Sequence, residues 1–459
     1  MSEAGLAEAR RRMQATAVPE TAIDVFTDAY QRLEAGETGL IREDSIEPIT
    51  QVPSLDEVQL DPQQAARALD QTVLIKLNGG LGTSMGLAAA KTVLPVKDGN
   101  TFLDVIVEQV LRARRAHHAR LPLILMDSFR TREVTLAALA HYPELAVDGL
   151  PLDFLQSQEP KLLIHGLKPV DWPADPSLEW CPPGHGDIYP ALLGTGILKA
   201  LIDRGYRYAN TSNADNLGAA PNARLAGWFS AIGAPYAAEV CRRTPADRKG
   251  GHLARRRSDG RVILRDTAQT APEEMDFFTD EHRHPFFHTN NLWFDLVRLY
   301  ELLAEHGGAL GLPLIRNLKT VDPADSSTPE VIQIETAMGT AIELFDGAQP
   351  ILVGRDRFLP VKTTNDLAVI RSDAFELTGD GRLVATTDPL PVVDLDPRYY
   401  KTISQFDQRF PDGVPSLRKA RTLSVKGDCT FEGDVSITGD VTLTGDGART
   451  IRAGSQLGG

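Results

Sequence analysis

The stretch that most constrains the fold runs from Thr72 to Phe129. "TVLIKL", an apolar and β-branched run, enters a loop with glycines at 79, 80, 82 and 86. Next come "TFLDVIVEQVLRARRAH", with apolar residues at helical spacing, and "LPLILMDSF", a second apolar run. Strand, loop, helix and strand in succession make a βαβ unit, which predicts a parallel sheet with ligand-facing groups at the carboxyl ends of its strands. "YRYANTSNADNLGA" and "FHTNNLWF" read as two further strands that spill into Asn and Asp. The glycine loop itself is ambiguous. Gly80, Gly82 and Gly86 are spaced one residue too far apart for the dinucleotide fingerprint, and Leu87 rather than lysine follows the last glycine. Taken alone, it reads equally as a phosphate-binding loop or a tight turn.

A second pattern governs the far end. Gly-Asp recurs at 427, 433, 439 and 445, with Val425, Phe431, Ile437 and Leu443 two residues before each glycine. A six-residue period with one inward apolar residue per rung predicts a parallel β-helix over 418–459, because a flexible glycine-rich tail would keep no such period. The first part of the chain is helical in texture, as in "AGLAEARRRMQATA" and "DPQQAARALDQ". The expected division is a helical segment at 1–72, a central α/β domain at 73–345, a part carrying the Lys362 loop at 346–417, and the β-helix at 418–459.

With 459 residues, the chain is long enough for a large catalytic domain and smaller units around it. Its formal charge of −14 argues against nucleic acid as a partner, since phosphate backbones are held by clustered Lys and Arg. Cys181, Cys241 and Cys429 show no CxxC spacing and read as reduced thiols, so a cytoplasmic protein is expected. Neither a secretory leader nor a membrane span is legible.

Five polar segments could carry chemistry: the glycine loop, "FLQSQEPK", "PPGHGDIY", "SNADNLGA" and "RFLPVKTTND". Each has an ordinary explanation by itself. His185 suits a turn, Asp215 an Asx-turn, Lys362 a solvated loop and Gln156 the cap of a strand. His282, His284 and His288 read as a loop and strand edge rather than a zinc site.

In collinear order, "LNGGLGTSMG" followed by Lys91, "TFLD", "PPGHGDIY", "NADNLGA", "HTNNLW", "NLKTVD", "VIQIETAMGTAIELFD" and "RFLPVKTTNDL" resemble the eukaryotic-type UDP-glucose pyrophosphorylase family, from about residue 70 to the repeat. The resemblance implies a Rossmann-like nucleotidyltransferase domain, an N-terminal helical part and a C-terminal β-helix of left-handed type. It implies UTP and glucose 1-phosphate as substrates and Mg²⁺ as cofactor, with the chain a monomer or a homo-oligomer joined through the β-helix.

By the same resemblance, Leu77, Asn78, Gly79, Gly80 and Lys91 are expected at the nucleotide, with Lys91 and Lys362 the catalytic lysines on its phosphates. Met126 is expected beside the base, and Gln156 and Gly184 at the uracil edge. His185, Asn213, Ala214, Asp215, Asn291 and Glu335 are expected around the sugar phosphate, with Asp215 also the metal ligand. Two departures stand out: "GLAAAK" where many members read "GCKGPK", which leaves Lys91 as the loop's one lysine, and His288 where the family more often has Asn. A uridylyltransferase for another sugar phosphate, such as galactose 1-phosphate or an N-acetylhexosamine phosphate, and a nucleotide-sugar sensor without turnover are the rival readings.

Overall fold

The computed structural model describes residues 2–458 apart from 88, 245, 246, 248, 249, 324, 380 and 446. Ala88 of the glycine loop and Asp446 of the last Gly-Asp pair therefore lie outside the described residues. At the centre is a seven-stranded sheet. Its strands are β1 (Thr72–Asn78), β2 (Leu123–Asp127), β3 (Asp153–Leu155), β4 (Tyr208–Asn213), β5 (Tyr236–Arg242), β6 (Phe286–Asp295) and β7 (Gln349–Leu352). Their spatial order is β7-β5-β6-β4-β1-β2-β3.

The sheet is sandwiched, and its sequence shows why. Val73 and Ile75 of β1 and Ile124 and Met126 of β2 enter one apolar cluster, while Leu74, Leu123 and Leu125 enter the other. Successive side chains point to opposite faces, so a strand covered on both sides must be apolar throughout. The crossover from β1 to β2 is the helix Phe102–His117. Thr101 and Asp104 start it with a reciprocal capping box: Thr101 Oγ1 accepts from Asp104 N–H at 3.1 Å and Asp104 Oδ2 accepts from Thr101 N–H at 2.8 Å.

The expected all-parallel sheet is corrected at one strand. β4, β1, β2 and β3 run parallel, as do β5 and β7, but β6 lies antiparallel between β4 and β5. From β5 the chain reaches β6 through the antiparallel pair His252–Arg256 and Val262–Arg265 and the one-turn helix Met275–Phe278; among the described residues it has no long helix of the kind that makes a parallel crossover. This reversal matters for the site. It brings the first half of β6 beside the carboxyl end of β4, where Asn290 Nδ2 donates to Asn213 Oδ1 at 3.0 Å.

Two N-terminal helices, Ser2–Ala15 and Glu20–Glu34, pack Met13, Ile23, Phe26 and Tyr30 against Leu162, Leu314, Ile332 and Ile334 of a three-stranded antiparallel sheet. At the other end Val392–Leu395, Ser416–Lys426, Ser436–Thr444 and Gln456–Leu457 form parallel ladders, and Cys429–Phe431 pairs in parallel with Arg449–Ile451. Leu423 faces Val441 and Val425 faces Leu443, three six-residue repeats along. Val425, Phe431, Ile437 and Leu443 are all buried in the same cluster that lines one face of the central sheet. No helix among the described residues is long and apolar enough to cross a membrane.

Candidate active site

The glycine loop leaves β1 and turns back through two left-handed glycines, Gly82 (φ +63°) and Gly86 (φ +70°), that bracket the short turn Thr83–Met85. Only glycine adopts that backbone without strain. The turn returns the chain so that Lys91 N–H reaches Gly80 O. From there the Lys91 side chain extends to the end of β4, where Nζ lies 2.9 Å from Asp215 Oδ2 and also donates to the Val361 carbonyl. Lys362 reaches the same carboxylate from the opposite side, with Nζ 2.9 Å from Oδ2 and 3.2 Å from Oδ1. Burial alone would raise the Asp215 carboxyl, but Lys362 and Lys91 outweigh it and hold the group below its ordinary range. The result is a carboxylate held in its ionised form by two ammonium groups.

Lys362 is placed by backbone. Its N–H and that of Thr363 both donate to Asp366 Oδ2 at 2.8 Å, in the capping box of the helix Thr364–Arg371. Asp215 follows β4 directly, and Ala214 N–H donates to Leu77 O at 3.1 Å, tying the carboxyl ends of β4 and β1 together.

The other end of the cleft is built around Gln156. Its Nε2 donates to Gly184 O at 2.8 Å, and its Oε1 lies where a Cβ on Gly79 would come within 2.5 Å. Gly184 has φ +79°, and a Cβ there would meet Thr336 O at 2.5 Å. The Thr336 backbone leaves Gly184 no room for a side chain, whereas one at Gly79 would push the Gln156 amide aside. His185 follows, and Met338 N–H donates to its Nδ1 at 2.9 Å, which leaves the proton of the neutral ring on Nε2. Burial, assisted by the positive charge of Lys362, lowers this imidazole to about 4. It is therefore a fixed neutral donor at ordinary pH.

These elements line one open cleft, formed by Leu77, Asn78, Gly79, Gly80, Lys91, Met126, Gln156, Gly184, His185, Asn213, Ala214, Asp215 and Lys362, together with Thr92 and Pro182. Two expected residues stand apart. Asn291 lies beneath the cleft, fully buried, with Nδ2 donating to Glu239 Oε2 at 3.1 Å and Oδ1 accepting from Asn216 Nδ2 at 3.1 Å. Glu335 sits behind Gly184, on the strand Glu330–Thr336, with its carboxyl raised by burial. The Asn78 side chain is also spent on the scaffold: it donates to Asp127 Oδ1 at 2.7 Å and Thr135 Oγ1 at 2.9 Å and accepts from Thr92 Oγ1 at 2.7 Å.

Sequence reasoning passed over several groups. Thr92, next to Lys91, was signalled only by its neighbour. Asn290, at φ +62° within a strand, donates to Asn213, while its neighbour Asn291, expected around the sugar phosphate, bonds to Glu239 below. Asp187, the last residue of "GHGD", accepts from Ser157 N–H at 2.6 Å, fastening the segment after Gln156 to the segment after Gly184.

Comparison with known proteins agrees with this geometry. A family model described as UTP--glucose-1-phosphate uridylyltransferase matches residues 23–438. The enzyme of that name from Solanum tuberosum is 37% identical over 376 residues, covering 81% of this chain and 76% of its own. That of Saccharomyces cerevisiae is 38% identical over 363 residues, covering 78% and 71%. Among solved structures, a variant of Leishmania major UDP-glucose pyrophosphorylase in complex with UDP-glucose superposes with a TM-score of 0.92 at 43% identity, covering 99% of this chain and 98% of that one. The Trypanosoma brucei UDP-glucose phosphorylase superposes with a TM-score of 0.92 at 41% identity over the same shares. With a model match over most of its length and relatives well above 30% identity, the chain belongs to the UTP--glucose-1-phosphate uridylyltransferase family.

Proposed function

We propose that the chain converts UTP and α-D-glucose 1-phosphate into UDP-glucose and pyrophosphate. The observation that carries this is the convergence of Lys91 and Lys362 on Asp215, in the cleft that Gln156 and Gly184 also line, in a member of this family. Phosphorus NMR of the protein incubated with both substrates and Mg²⁺ tests it: UTP resonances should give way to UDP-glucose and pyrophosphate, and unchanged UTP would refute the reading.

The chemistry asks little of acid–base groups. Glucose 1-phosphate is largely dianionic at neutral pH, a phosphate monoester having its second pKa near ~6, so its oxygen needs no base. That oxygen attacks the α-phosphorus in line, the bond to the β-phosphate oxygen breaks, and the electron pair leaves with pyrophosphate. What remains is positioning and charge neutralisation. We assign the uracil edge to Gln156 and to backbone at Gly184, with Met126 packing beside the base. The backbone from Leu77 to Gly80 is assigned to the nucleotide; a Cβ on Gly80 would meet no protein atom within 4 Å, so the space above it is open to a ligand. Lys91 and Lys362 are assigned to the phosphates, where two fixed ammonium groups offset developing negative charge. His185, a neutral Nε2–H donor, is assigned with Asn213 and Ala214 to the sugar phosphate. Asn291 lies buried beneath the cleft, and Glu335 stands behind Gly184.

Mg²⁺ suits this donor set. Asp215 is the one carboxylate among the described residues lining the cleft, and no group of three or more His, Cys, Asp or Glu side chains suited to a metal occurs among the described residues. A hard cation that takes one or two carboxylates and completes its shell with phosphates and water fits such a site. When bound, Mg²⁺ would supply charge neutralisation at the phosphates. On this assignment Asp215 would hold the cation, and Lys91 and Lys362, both within reach of that carboxylate, would bind the phosphates.

A sensor without turnover would have no use for two lysines poised in this way. The parallel ladders and buried six-residue positions support reading 418–459 as a β-helix; we assign it the left-handed type that the family resemblance implies, in a chain divided at 72, 345 and 417. Three buried free cysteines suit a reducing cytoplasm. Monomers, or homo-oligomers joined through that β-helix, are both compatible with a cleft built within one chain.

A further inference from the structure

Beneath Asp215 lies a buried ion pair with no part in the assignments above. Glu239, on β5, is fully buried and Arg357 nearly so. The guanidinium grips the carboxylate through two bonds, Nη2 to Oε1 at 2.8 Å and Nε to Oε2 at 3.0 Å. Trp293 Nε1 at 3.0 Å and Asn291 Nδ2 at 3.1 Å complete the carboxylate's partners. Removing two charges from water is costly, and a well-packed apolar pair would serve stability as well. The geometry gives this pair another use.

Arg357 precedes Lys362 by five residues, and its remaining nitrogen, Nη1, donates to the carbonyls of Gly218 and Ala220, just after Asp215. Its own carbonyl accepts from Asn216 Nδ2 at 3.1 Å, while Asn216 Oδ1 accepts from Leu359 N–H at 2.8 Å and Gly218 N–H at 3.2 Å. Val361 N–H donates to Asp215 O at 3.2 Å. The two backbones are in such close contact that a Cβ on Gly218 would meet Asp356 O at 2.3 Å. A second buried cation, Lys76, holds the same turn by donating to Ser212 Oγ and Ala219 O, both at 2.8 Å. One guanidinium thus joins three pieces: the sheet through Glu239, the segment carrying Asp215, and the segment carrying Lys362.

We infer that Glu239 and Arg357 are a positioning pair that sets the register of the Lys362 segment against the Asp215 segment, and so the placement of the lysine in the transition state. This rests on the proposed reaction. A rigid fork with five donors can serve all three pieces at once, whereas an ammonium group cannot. Loss of the fork lets the Lys362 segment shift, and a displacement of about 1 Å at a reacting group costs on the order of 10²-fold in rate. Gln156 and Gly184, assigned above to the uracil, share none of these contacts.

The test is Arg357→Lys in the full chain, with Arg265→Lys as control. Arg265 is equally buried and paired with Glu43 and Glu274, but none of these three lines the cleft. The expected result is a fall in kcat of about 10- to 100-fold for Arg357→Lys, with the KM for UTP changed less than about threefold, at a temperature where the protein is folded. Arg265→Lys should lower the melting temperature yet keep kcat per folded molecule within about twofold. If Arg357→Lys does not fold, Glu239→Gln keeps the shape of the carboxylate while weakening its hold on the guanidinium and should give the same kcat-over-KM split. Near-normal kcat in a folded Arg357→Lys or Glu239→Gln protein, or losses matching the unfolded fraction, would overturn the inference. Wild-type protein without turnover in the same assay would instead overturn the proposed reaction.

Discussion

Replacing Lys91 with Met removes one ammonium and keeps an unbranched chain of similar length. In the structure this deletes a 2.9 Å contact to Asp215 Oδ2 and a hydrogen bond to the Val361 carbonyl, at a side chain only 11% exposed. Asp215 keeps Lys362 as a partner, so the carboxylate is not stranded. The stability cost is then that of a charged hydrogen bond, about 1.5 to 3 kcal/mol, well short of unfolding a typical domain. The kinetic cost should be larger. Negative charge builds on the α-phosphoryl oxygens and the leaving pyrophosphate only in the transition state, and losing one preorganised donor there costs about 10²- to 10³-fold, or about 3 to 4 kcal/mol. UTP affinity should fall less, because the uracil and loop contacts remain. Melting temperature and pyrophosphate release measured on one preparation separate the two costs. A folded Lys91→Met protein with near-normal kcat would refute the role given to this lysine, whereas a lower melting temperature with unchanged kcat would reduce it to a loop support.

Other perturbations read other parts of the cleft. Gln156→Ala removes the amide bound to Gly184 O and should cost about 1 to 3 kcal/mol in kcat/KM for UTP, with weaker rejection of CTP; unchanged base preference would contradict the assignment. Gly80→Ala should melt like the wild type, because the added Cβ meets no protein atom, yet bind UTP more weakly in a calorimetric titration; unimpaired binding would place the nucleotide elsewhere. The depressed His185 imidazole binds fewer protons in the folded state than its ordinary value of 6.5 gives it when unfolded. Its contribution to stability is present above about 6.5 and is lost as pH falls toward about 4. Melting temperatures across that window should therefore drop less steeply in His185→Gln than in the wild type.

Much of the scaffold was legible because the central strands are covered on both faces and so must be apolar along their whole length, as in β1 and β2. The buried repeat positions Val425, Phe431, Ile437 and Leu443 were legible for a similar reason, one inward residue per rung. Strand direction was not: Phe286–Asp295 has the same aromatic and β-branched texture whichever way it runs, and its antiparallel pairing with β4 and β5 shows only in three dimensions. Nor could the sequence separate Asn290 from Asn291. The register slips between Ala238 and Val240 of β5, and the left-handed backbone of Asn290 falls at that slip. Alternation fails there, and Asn290, not Asn291, contacts Asn213. Glu239 was illegible for another reason. A charged residue in "YAAEVCR" looks like an exposed position, and the arginine that justifies its burial comes 118 residues later.

The most direct test of the whole reading is steady-state turnover of the purified chain with UTP, Mg²⁺ and a panel of sugar 1-phosphates, following both pyrophosphate and the nucleotide sugar. The expected result is one pyrophosphate per UDP-glucose formed, with kcat/KM for glucose 1-phosphate above that for galactose 1-phosphate and N-acetylglucosamine 1-phosphate. Turnover favouring another sugar, or no pyrophosphate with any of them, would contradict it.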